Sequence, residues 1–279
     1  MPGQTAVVTG GGRGLGRAFA QALAAAGASV AIVARNEAEL RDAAGAIGRG
    51  TRSFVGDVTD AATVTRVFQQ IGAVDLLVNN AGIVGPIGPF WETDVDAWWR
   101  VMDVNVRGAM LCMRAALPSM IARGSGRIIN IVSGAIPAAH LSAYMTSKSA
   151  LVRATECVAA EAAPHGVALF ALAPGTVRTR LSMQSVESDA GRRWIPWFRR
   201  IFDEGLDLPA EEVARVVVEL ASGRRDALSG LYLTPRDDLD ALTAQLASAK
   251  AQHLYSMRVR TLGETTATAA IEAIRNAAV

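Results

Sequence analysis

Short apolar runs alternate with helix-type patterns from the beginning of this chain. The apolar runs cover residues 5–8, 29–33, 53–55, 75–78, 127–132, 167–172 and 231–233. Between them, apolar residues return every three or four positions, as in the helices predicted up to about Ala26 and from about Glu37. Near-continuous hydrophobicity is typical of parallel strands that are buried on both faces. The pattern therefore predicts an α/β fold, a doubly wound parallel sheet with helices on both faces.

No internal repeat or low-complexity linker interrupts the first 235 or so of the 279 residues. We therefore predict one domain over residues 1–239. Two stretches depart from the alternation of strands and helices. Residues 181–208 are rich in Trp and Arg, and residues 240–279 are rich in Ala and predict a helical tail.

Composition and charge narrow the class of protein. The chain is 51% hydrophobic with a net charge of only +2, which favours a globular core and no nucleic-acid partner. No apolar run reaches the ~18 residues of a membrane span, and the first strand begins too early for a signal peptide. Cys112 and Cys157 fall in helical patterns and indicate a reduced, cytoplasmic protein. The three histidines lack ligand spacing, so no metal site is expected.

A glycine-rich turn follows the first strand and opens the first helix. It reads Thr9-Gly10-Gly11-Gly12-Arg13-Gly14-Leu15-Gly16. Glycines in this context let backbone N–H groups approach the pyrophosphate of a dinucleotide at the helix N-terminus. A purely structural turn is the alternative, but the preceding strand favours a dinucleotide.

The end of the second strand bears on the choice of cofactor. An acidic residue there is typical of NAD(H) binding, but the chain has Arg35. Together with Arg13 it could bind a 2′-phosphate, so the sequence favours NADP(H) over NAD(H). Solvated surface charges are the alternative for both arginines. Asp57 and Val58, after the third strand, are placed for the adenine edge, although Asp57 could also cap a turn.

Tyr144 and Lys148 are separated by four positions in a predicted helix. The chain has three tyrosines and only two lysines, so this pair is improbable by chance. At this spacing both side chains share one helix face, and a lysine beside a phenol lowers the phenol's pKa. The pair is either a surface contact or a proton donor that works near neutral pH.

Six motifs occur in an order that resembles the short, single-domain branch of the short-chain dehydrogenase/reductases. After the glycine turn come Asn79-Asn80-Ala81-Gly82, Asn105, Ser133, the Tyr144–Lys148 pair and Pro174-Gly175-Thr176-Val177-Arg178-Thr179. The resemblance covers about residues 4–235. It implies a Rossmann-type doubly wound parallel sheet of about seven strands and an NAD(P)-dependent reaction that interconverts a ketone and a secondary alcohol.

The resemblance also implies residue roles. Asn105, Ser133, Tyr144 and Lys148 would form the catalytic tetrad. Tyr144 would be the general acid/base, Ser133 would bind the substrate oxygen, and Asn105 would anchor a water that links Lys148 to solvent. Lys148 would lower the pKa of Tyr144 and hold the nicotinamide ribose. The implied cofactor-binding residues are Gly10, Arg13, Gly14, Leu15, Gly16, Arg35, Asp57, Val58, Asn79, Ala81, Gly82, Tyr144, Lys148, Pro174, Gly175, Val177 and Thr179.

Three departures from the family pattern concern substrate and assembly. Tyr144 follows Ser133 by only 11 positions, which shortens a loop containing His140 beside the substrate. The usual glycine-rich end after the last strand is missing, so the expected homo-oligomer is a dimer or a tetramer. Residues 181–208 match the family's substrate lid. Their aromatic side chains could form either the buried face of a helix or an apolar wall over the substrate. Their paired arginines could be either solvated charges or a binding site for an acidic carrier or a phosphate.

The sequence thus predicts an NADP(H)-preferring oxidoreductase whose small-molecule substrate is a moderately bulky, apolar ketone or secondary alcohol. An NAD(H)-dependent alcohol dehydrogenase of the same family and a non-catalytic cofactor-binding sensor are the alternatives. An epimerase or dehydratase on a related fold is a further rival. It would space its first glycines differently and carry a larger C-terminal domain.

Overall fold

The protein is described here by a computed structural model that covers residues 1–134 and 136–258, with a parallel sheet at its centre. The strands are β1 (Thr5–Thr9), β2 (Ser29–Ala34), β3 (Arg52–Val55), β4 (Leu76–Asn79), β5 (Gly126–Ile131), β6 (Val167–Leu172) and β7 (Tyr232–Leu233). They lie in the order β3-β2-β1-β4-β5-β6-β7, and every neighbouring pair is parallel. The predicted doubly wound sheet of seven strands is confirmed.

Helices connect the strands and cover both faces of the sheet. They are α1 (Gly14–Ala25), α2 (Glu37–Ile47), α3 (Ala61–Ile71), α4 (Val95–Met102), α5 (Gly108–Arg123), α6 (Ser142–Ala162), α7 (Arg180–Glu187), α8 (Asp189–Trp194), α9 (Pro196–Asp203), α10 (Ala210–Ala221), α11 (Leu239–Ala244) and α12 (Leu246–Ala251). A π-helical segment, Asp103–Arg107, joins α4 to α5. Asn36, Asp60 and Asp94 begin α2, α3 and α4 as N-caps, which explains where these helices start.

Alternate residues of each strand face opposite layers of helices. Val8 and Ile32 belong to the layer that includes α1 and α10, whereas Val7 and Leu77 belong to the layer that includes α3 and α5. All four side chains are fully buried. Burial on both faces explains why the strands appear in the sequence as continuous apolar runs.

The segment after β6 and the tail both pack on this domain. Ile195 and Phe202, in the 181–208 stretch, are buried, while Trp197 is exposed. Helices α11 and α12 lie against the core through Leu239, Leu242 and Ala249. The chain then runs beside β7, where Tyr232 N donates to Tyr255 O at 2.8 Å. Residues 259–279 of the predicted helical tail lie outside the described residues.

Within residues 1–134 and 136–258, none of the helices is both long and apolar enough to cross a membrane. The same part of the chain contains no group of three or more His, Cys, Asp or Glu side chains arranged to hold a metal ion.

Candidate active site and cofactor groove

A groove of about 650 Å³ opens at the carboxyl ends of β1, β2 and β4. The chain runs from β1 outward to β3 and then returns to β4, on the other side of β1. Open α/β sheets bind ligands at such a switch point. Among the residues predicted for cofactor binding, those that line the groove are Gly10, Arg13, Gly14, Leu15, Gly16, Arg35, Asp57, Val58, Ala81, Gly82 and Thr179.

The glycine turn forms the floor of the groove and leaves no space for side chains at two positions. A Cβ atom at Gly16 would lie 2.2 Å from the carbonyl oxygen of Gly10, and one at Gly10 would lie 2.9 Å from Asn80 Nδ2. Gly10 and Gly14 have φ of +66° and +53°, which side-chain-bearing residues rarely adopt. The backbone can therefore approach a ligand closely at the N-terminus of α1, and the turn fits a pyrophosphate.

Asn80 secures this turn, and the sequence analysis did not single it out. Its Nδ2 donates to the carbonyl oxygen of Thr9 at 2.9 Å, and its backbone N donates to Thr9 Oγ1 at 3.0 Å. Ala81 N donates to the same hydroxyl at 3.1 Å. The end of β4 thus holds the end of β1 in place. The only signal in the sequence was the position of Asn80 within the Asn-Asn-Ala-Gly run.

Asn79 is not among the residues that line the groove. Its buried Nδ2 donates to Asn130 Oδ1 at 2.9 Å and to the carbonyl oxygen of Ala109 at 3.4 Å. Asn130 in turn donates to Thr155 Oγ1 at 2.9 Å. Asn79 therefore ties β4 to β5 and α5.

Two of the predicted cofactor arginines are already paired with carboxylates. Arg13 Nη1 lies 3.0 Å from Glu39 Oε1, and Arg35 Nη1 lies 3.9 Å from Asp57 Oδ2. Arg180, which the sequence did not single out, lies 3.3 Å from the same oxygen of Glu39. Three arginines and two carboxylates therefore surround the part of the groove beside the ends of β2 and β3.

Asp57 combines a position in the groove with the turn-capping role that was its alternative. Thr59 donates to Asp57 Oδ1 through both its backbone N and its hydroxyl, at 2.9 and 2.8 Å. Burial raises the pKa of Asp57, but these hydrogen bonds and the charges of Arg100 and Arg35 outweigh it and leave the pKa below the ordinary value.

The inner end of the groove reaches two members of the predicted tetrad. A Cβ atom at Gly82 would lie 3.2 Å from Asn105 Oδ1 and 3.6 Å from Lys148 Nζ. Gly82 lines the groove, so a ligand that passes it comes close to both side chains. This contact connects the cofactor groove to helix α6.

The Ser133 side chain lies close enough to the Tyr144 hydroxyl to affect its pKa. Burial raises the pKa of the Tyr144 hydroxyl, and the interaction with Ser133 offsets part of that rise. The sequence had assigned the lowering to Lys148. In the structure Lys148 Nζ is 5.8 Å from the centre of the Tyr144 ring, and Ser133 supplies the lowering instead.

The Lys148 side chain is buried, with only 5% of the residue exposed to solvent. Its Nζ donates to the carbonyl oxygen of Ile131 at 2.7 Å. Burial lowers the pKa of Lys148 from 10.5 to about 8. The amine therefore changes its protonation state within reach of neutral pH, as a group in a proton relay must.

Asn105 lies in the π-helical segment between α4 and α5, a local irregularity that is frequent at functional sites. Its side chain makes three hydrogen bonds. Oδ1 accepts from Ile83 N at 2.9 Å, and Nδ2 donates to Ile83 O and to Ser147 Oγ, each at 2.9 Å. Ser147 also donates to the carbonyl oxygen of Tyr144 at 2.7 Å. These bonds position the start of α6 relative to the groove.

The segment after β6 contributes Thr179 to the groove. Thr179 caps α7 through a reciprocal pair of hydrogen bonds with Ser182. A Cβ atom added at Gly14 would lie 3.7 Å from the Cβ of Thr179, so the two residues face each other. Pro174, Gly175 and Val177 do not line the groove. The Val177 side chain is part of the hydrophobic core.

Comparisons with known proteins agree with this geometry. The family model described as short chain dehydrogenase matches residues 4–190. A short chain dehydrogenase from Pseudocercospora fijiensis is 44% identical over 192 residues, which are 65% of this chain and 62% of that protein. Galactitol 2-dehydrogenase from Rhizobium johnstonii is 39% identical over 243 residues, 82% of this chain and 92% of the relative.

A solved structure from Beutenbergia cavernae, described as an NAD(P)-dependent gluconate 5-dehydrogenase with bound NADP, has a TM-score of 0.75 to this chain. It is 33% identical, and the match covers 84% of this chain and 96% of the other. The fold and site define an oxidoreductase that acts on CH–OH or C=O groups with NAD(P). The chain belongs to the short-chain dehydrogenase/reductase family.

Proposed function

We propose that this protein interconverts a ketone and a secondary alcohol, prefers NADP(H), and uses Tyr144 as general acid/base. The observation that carries the proposal is that the inner end of the groove leads to four polar side chains, those of Asn105, Ser133, Tyr144 and Lys148. Gly82 lies against Asn105 and Lys148, and the hydroxyl of Tyr144, on the same helix as Lys148, is close enough to Ser133 for that side chain to affect its pKa. A non-catalytic sensor would have no use for this arrangement.

Each of these residues has a task that follows from its surroundings. A bound nicotinamide supplies or accepts the hydride. Tyr144 holds the proton at its phenolic oxygen, and Ser133 donates a hydrogen bond to the substrate oxygen as charge develops there. Lys148, whose pKa is about 8, returns a proton to the Tyr144 hydroxyl. Asn105 anchors the water that connects Lys148 to solvent.

The preference for NADP(H) is supported by the two arginines at the ends of β1 and β2. Arg13 and Arg35 both line the groove, and the bidentate geometry of a guanidinium suits a phosphate. The rest of the proposed cofactor site consists of the residues that line the groove, with Tyr144 and Lys148 at the ribose and Pro174, Gly175 and Val177 offering backbone groups to the nicotinamide end.

We propose that residues 181–208 form a lid over an apolar substrate within the domain of residues 1–239. Support comes from the Trp194 ring, whose centre lies 4.8 Å from that of His140 in the shortened loop. Gly88 N also donates to the carbonyl oxygen of His140 at 3.0 Å. His140 is thus engaged with the loop and the lid rather than free for a substrate.

We also propose that the chain forms a homo-oligomer. Support comes from a cluster of exposed apolar side chains at and before α4. Phe90, Trp91, Val95 and Trp99 are each more than half exposed, which is unusual for a monomer.

Tyr144→Phe tests the proposed reaction, because it removes only the phenolic oxygen. Turnover with a panel of ketones and secondary alcohols, followed at the nicotinamide absorbance, should fall by about 10²–10⁴-fold, the usual contribution of a general acid. Quenching of protein fluorescence by NADPH should show nearly unchanged binding. Retained turnover would refute the acid/base role. Cofactor binding without turnover in the unmodified protein, on every substrate, would favour the sensor.

A further inference from the structure

Glu39 is an acidic side chain that lines the groove beside the glycine turn. It lies in the first turn of α2, and a Cβ atom at Gly12 would be 3.3 Å from Glu39 Cβ. Its side chain is 27% exposed, so its charge is partly shielded from water. No sequence motif marks Glu39, and its importance becomes visible only when the helix is placed against the turn.

One carboxylate oxygen of Glu39 is shared by two arginines from distant parts of the chain. Oε1 lies 3.0 Å from Arg13 Nη1 in the glycine turn and 3.3 Å from Arg180 Nη1 at the start of α7. Glu39 therefore links the glycine turn to the first helix of the proposed lid. Arg13 is thus engaged before a ligand arrives.

A 2′-phosphate would compete with Glu39 for Arg13. A phosphate monoester carries a charge of about −1.5 to −2 at pH 7, so it would need the guanidinium and would be repelled by the neighbouring carboxylate. NAD(H) has a hydroxyl at this place, and a carboxylate can accept its hydrogen bond. The same residue therefore acts in opposite directions on the two cofactors.

We propose that Glu39 determines cofactor specificity, by holding Arg13 and so reducing the advantage of NADP(H) over NAD(H). This inference rests on the proposed function, which assigns the 2′-phosphate to Arg13 and Arg35. Glu39 would then take the role of the acidic residue that is typical of NAD(H) binding at the end of the second strand and that this chain lacks there. Removal of its charge should therefore strengthen the preference for NADP(H).

The test compares Glu39→Gln with Glu37→Gln by calorimetric titration of NADPH, NADH, 2′,5′-ADP and 5′-ADP. Glu37 is a matched control, because it lies in the same turn of α2, pairs with Arg41 at 3.0 Å and does not line the groove. In Glu39→Gln, NADPH and 2′,5′-ADP should bind about fivefold more tightly, the effect of one partly exposed ion pair, and NADH and 5′-ADP should bind up to about twofold more weakly, because a neutral amide is a poorer acceptor for the ribose hydroxyl. Glu37→Gln should leave all four constants unchanged.

Equal changes for NADPH and NADH in Glu39→Gln, or weaker NADPH binding, would overturn the role of Glu39. Arg35→Ala separates this failure from failure of the proposed function. If the 2′-phosphate binds where proposed, Arg35→Ala weakens NADPH and 2′,5′-ADP much more than NADH. Equal losses in Arg35→Ala would remove the phosphate site itself, and the inference with it.

Discussion

Lys148→Met should stabilise the protein at neutral pH while it disables the site. Lys148 is 5% exposed, and its pKa is about 8 in the fold against 10.5 in water. At ~1.4 kcal/mol for each factor of ten, the buried ammonium costs about 3 kcal/mol at pH 7. The variant also loses the hydrogen bond to the carbonyl oxygen of Ile131, which costs ~1–3 kcal/mol. The net gain in the free energy of unfolding should be roughly 0–2 kcal/mol.

The pH dependence gives a sharper test than the value at one pH. The folded pKa is lowered, so between pH 8 and 10.5 the unfolded chain binds more protons than the folded one, and the stability of the unmodified protein rises with pH. Below pH 8 both states are protonated and the difference is constant. Relative to Lys148→Met, the unmodified protein should gain about 2 kcal/mol from pH 7.5 to 9.5.

Urea unfolding of both proteins at pH 7.0, 7.5, 8.5 and 9.5 measures this difference. Other titrating groups are common to both chains, so their effects cancel to first order. A difference in unfolding free energy that does not change with pH would refute the lowered pKa of Lys148. A large loss of stability in Lys148→Met at pH 7 would show instead that the hydrogen bond to Ile131 dominates.

Two further predictions concern the turn and the strand network. Gly16→Ala places a Cβ atom 2.2 Å from the carbonyl oxygen of Gly10 and should weaken both NADPH and NADH by more than about tenfold in fluorescence titrations. Gly45→Ala, inside α2 with nothing within 4 Å, should leave binding unchanged and raise stability by ~0.5–1 kcal/mol; equal losses in both variants would contradict the role of the turn. Asn130→Ala should cost about 3 kcal/mol in thermal unfolding, because Asn79 and Thr155 lose a buried partner, and a loss below ~1 kcal/mol would contradict this.

The pattern of apolar runs was enough to predict the sheet, its parallel strands and the position of the glycine turn. These features depend on local sequence, because a strand buried on both faces needs continuous hydrophobicity and a close turn needs glycine. The spacing of Tyr144 and Lys148 likewise placed both side chains on one helix face. The order of the six motifs indicated the family resemblance, and the resemblance in turn implied the oxidoreductase class.

Tertiary structure decided what the neighbouring elements do to these residues. Asn79 and Asn80 are adjacent at the end of β4, where successive side chains point in opposite directions, so one joins the strand network and the other holds the glycine turn. The sequence could not tell which would face the groove, because that depends on how β4 is rotated against its neighbours.

The charges and pKa values of the site were decided in the same way. Glu39 meets Arg180 across 141 positions of chain, a contact that no local pattern encodes. The sequence by itself determined that a lysine stands four residues after a tyrosine on a helix beside a nucleotide fold. Only packing decided that this lysine is buried against Ile131 with a pKa of about 8 and that burial raises the pKa of the tyrosine, since both effects depend on desolvation.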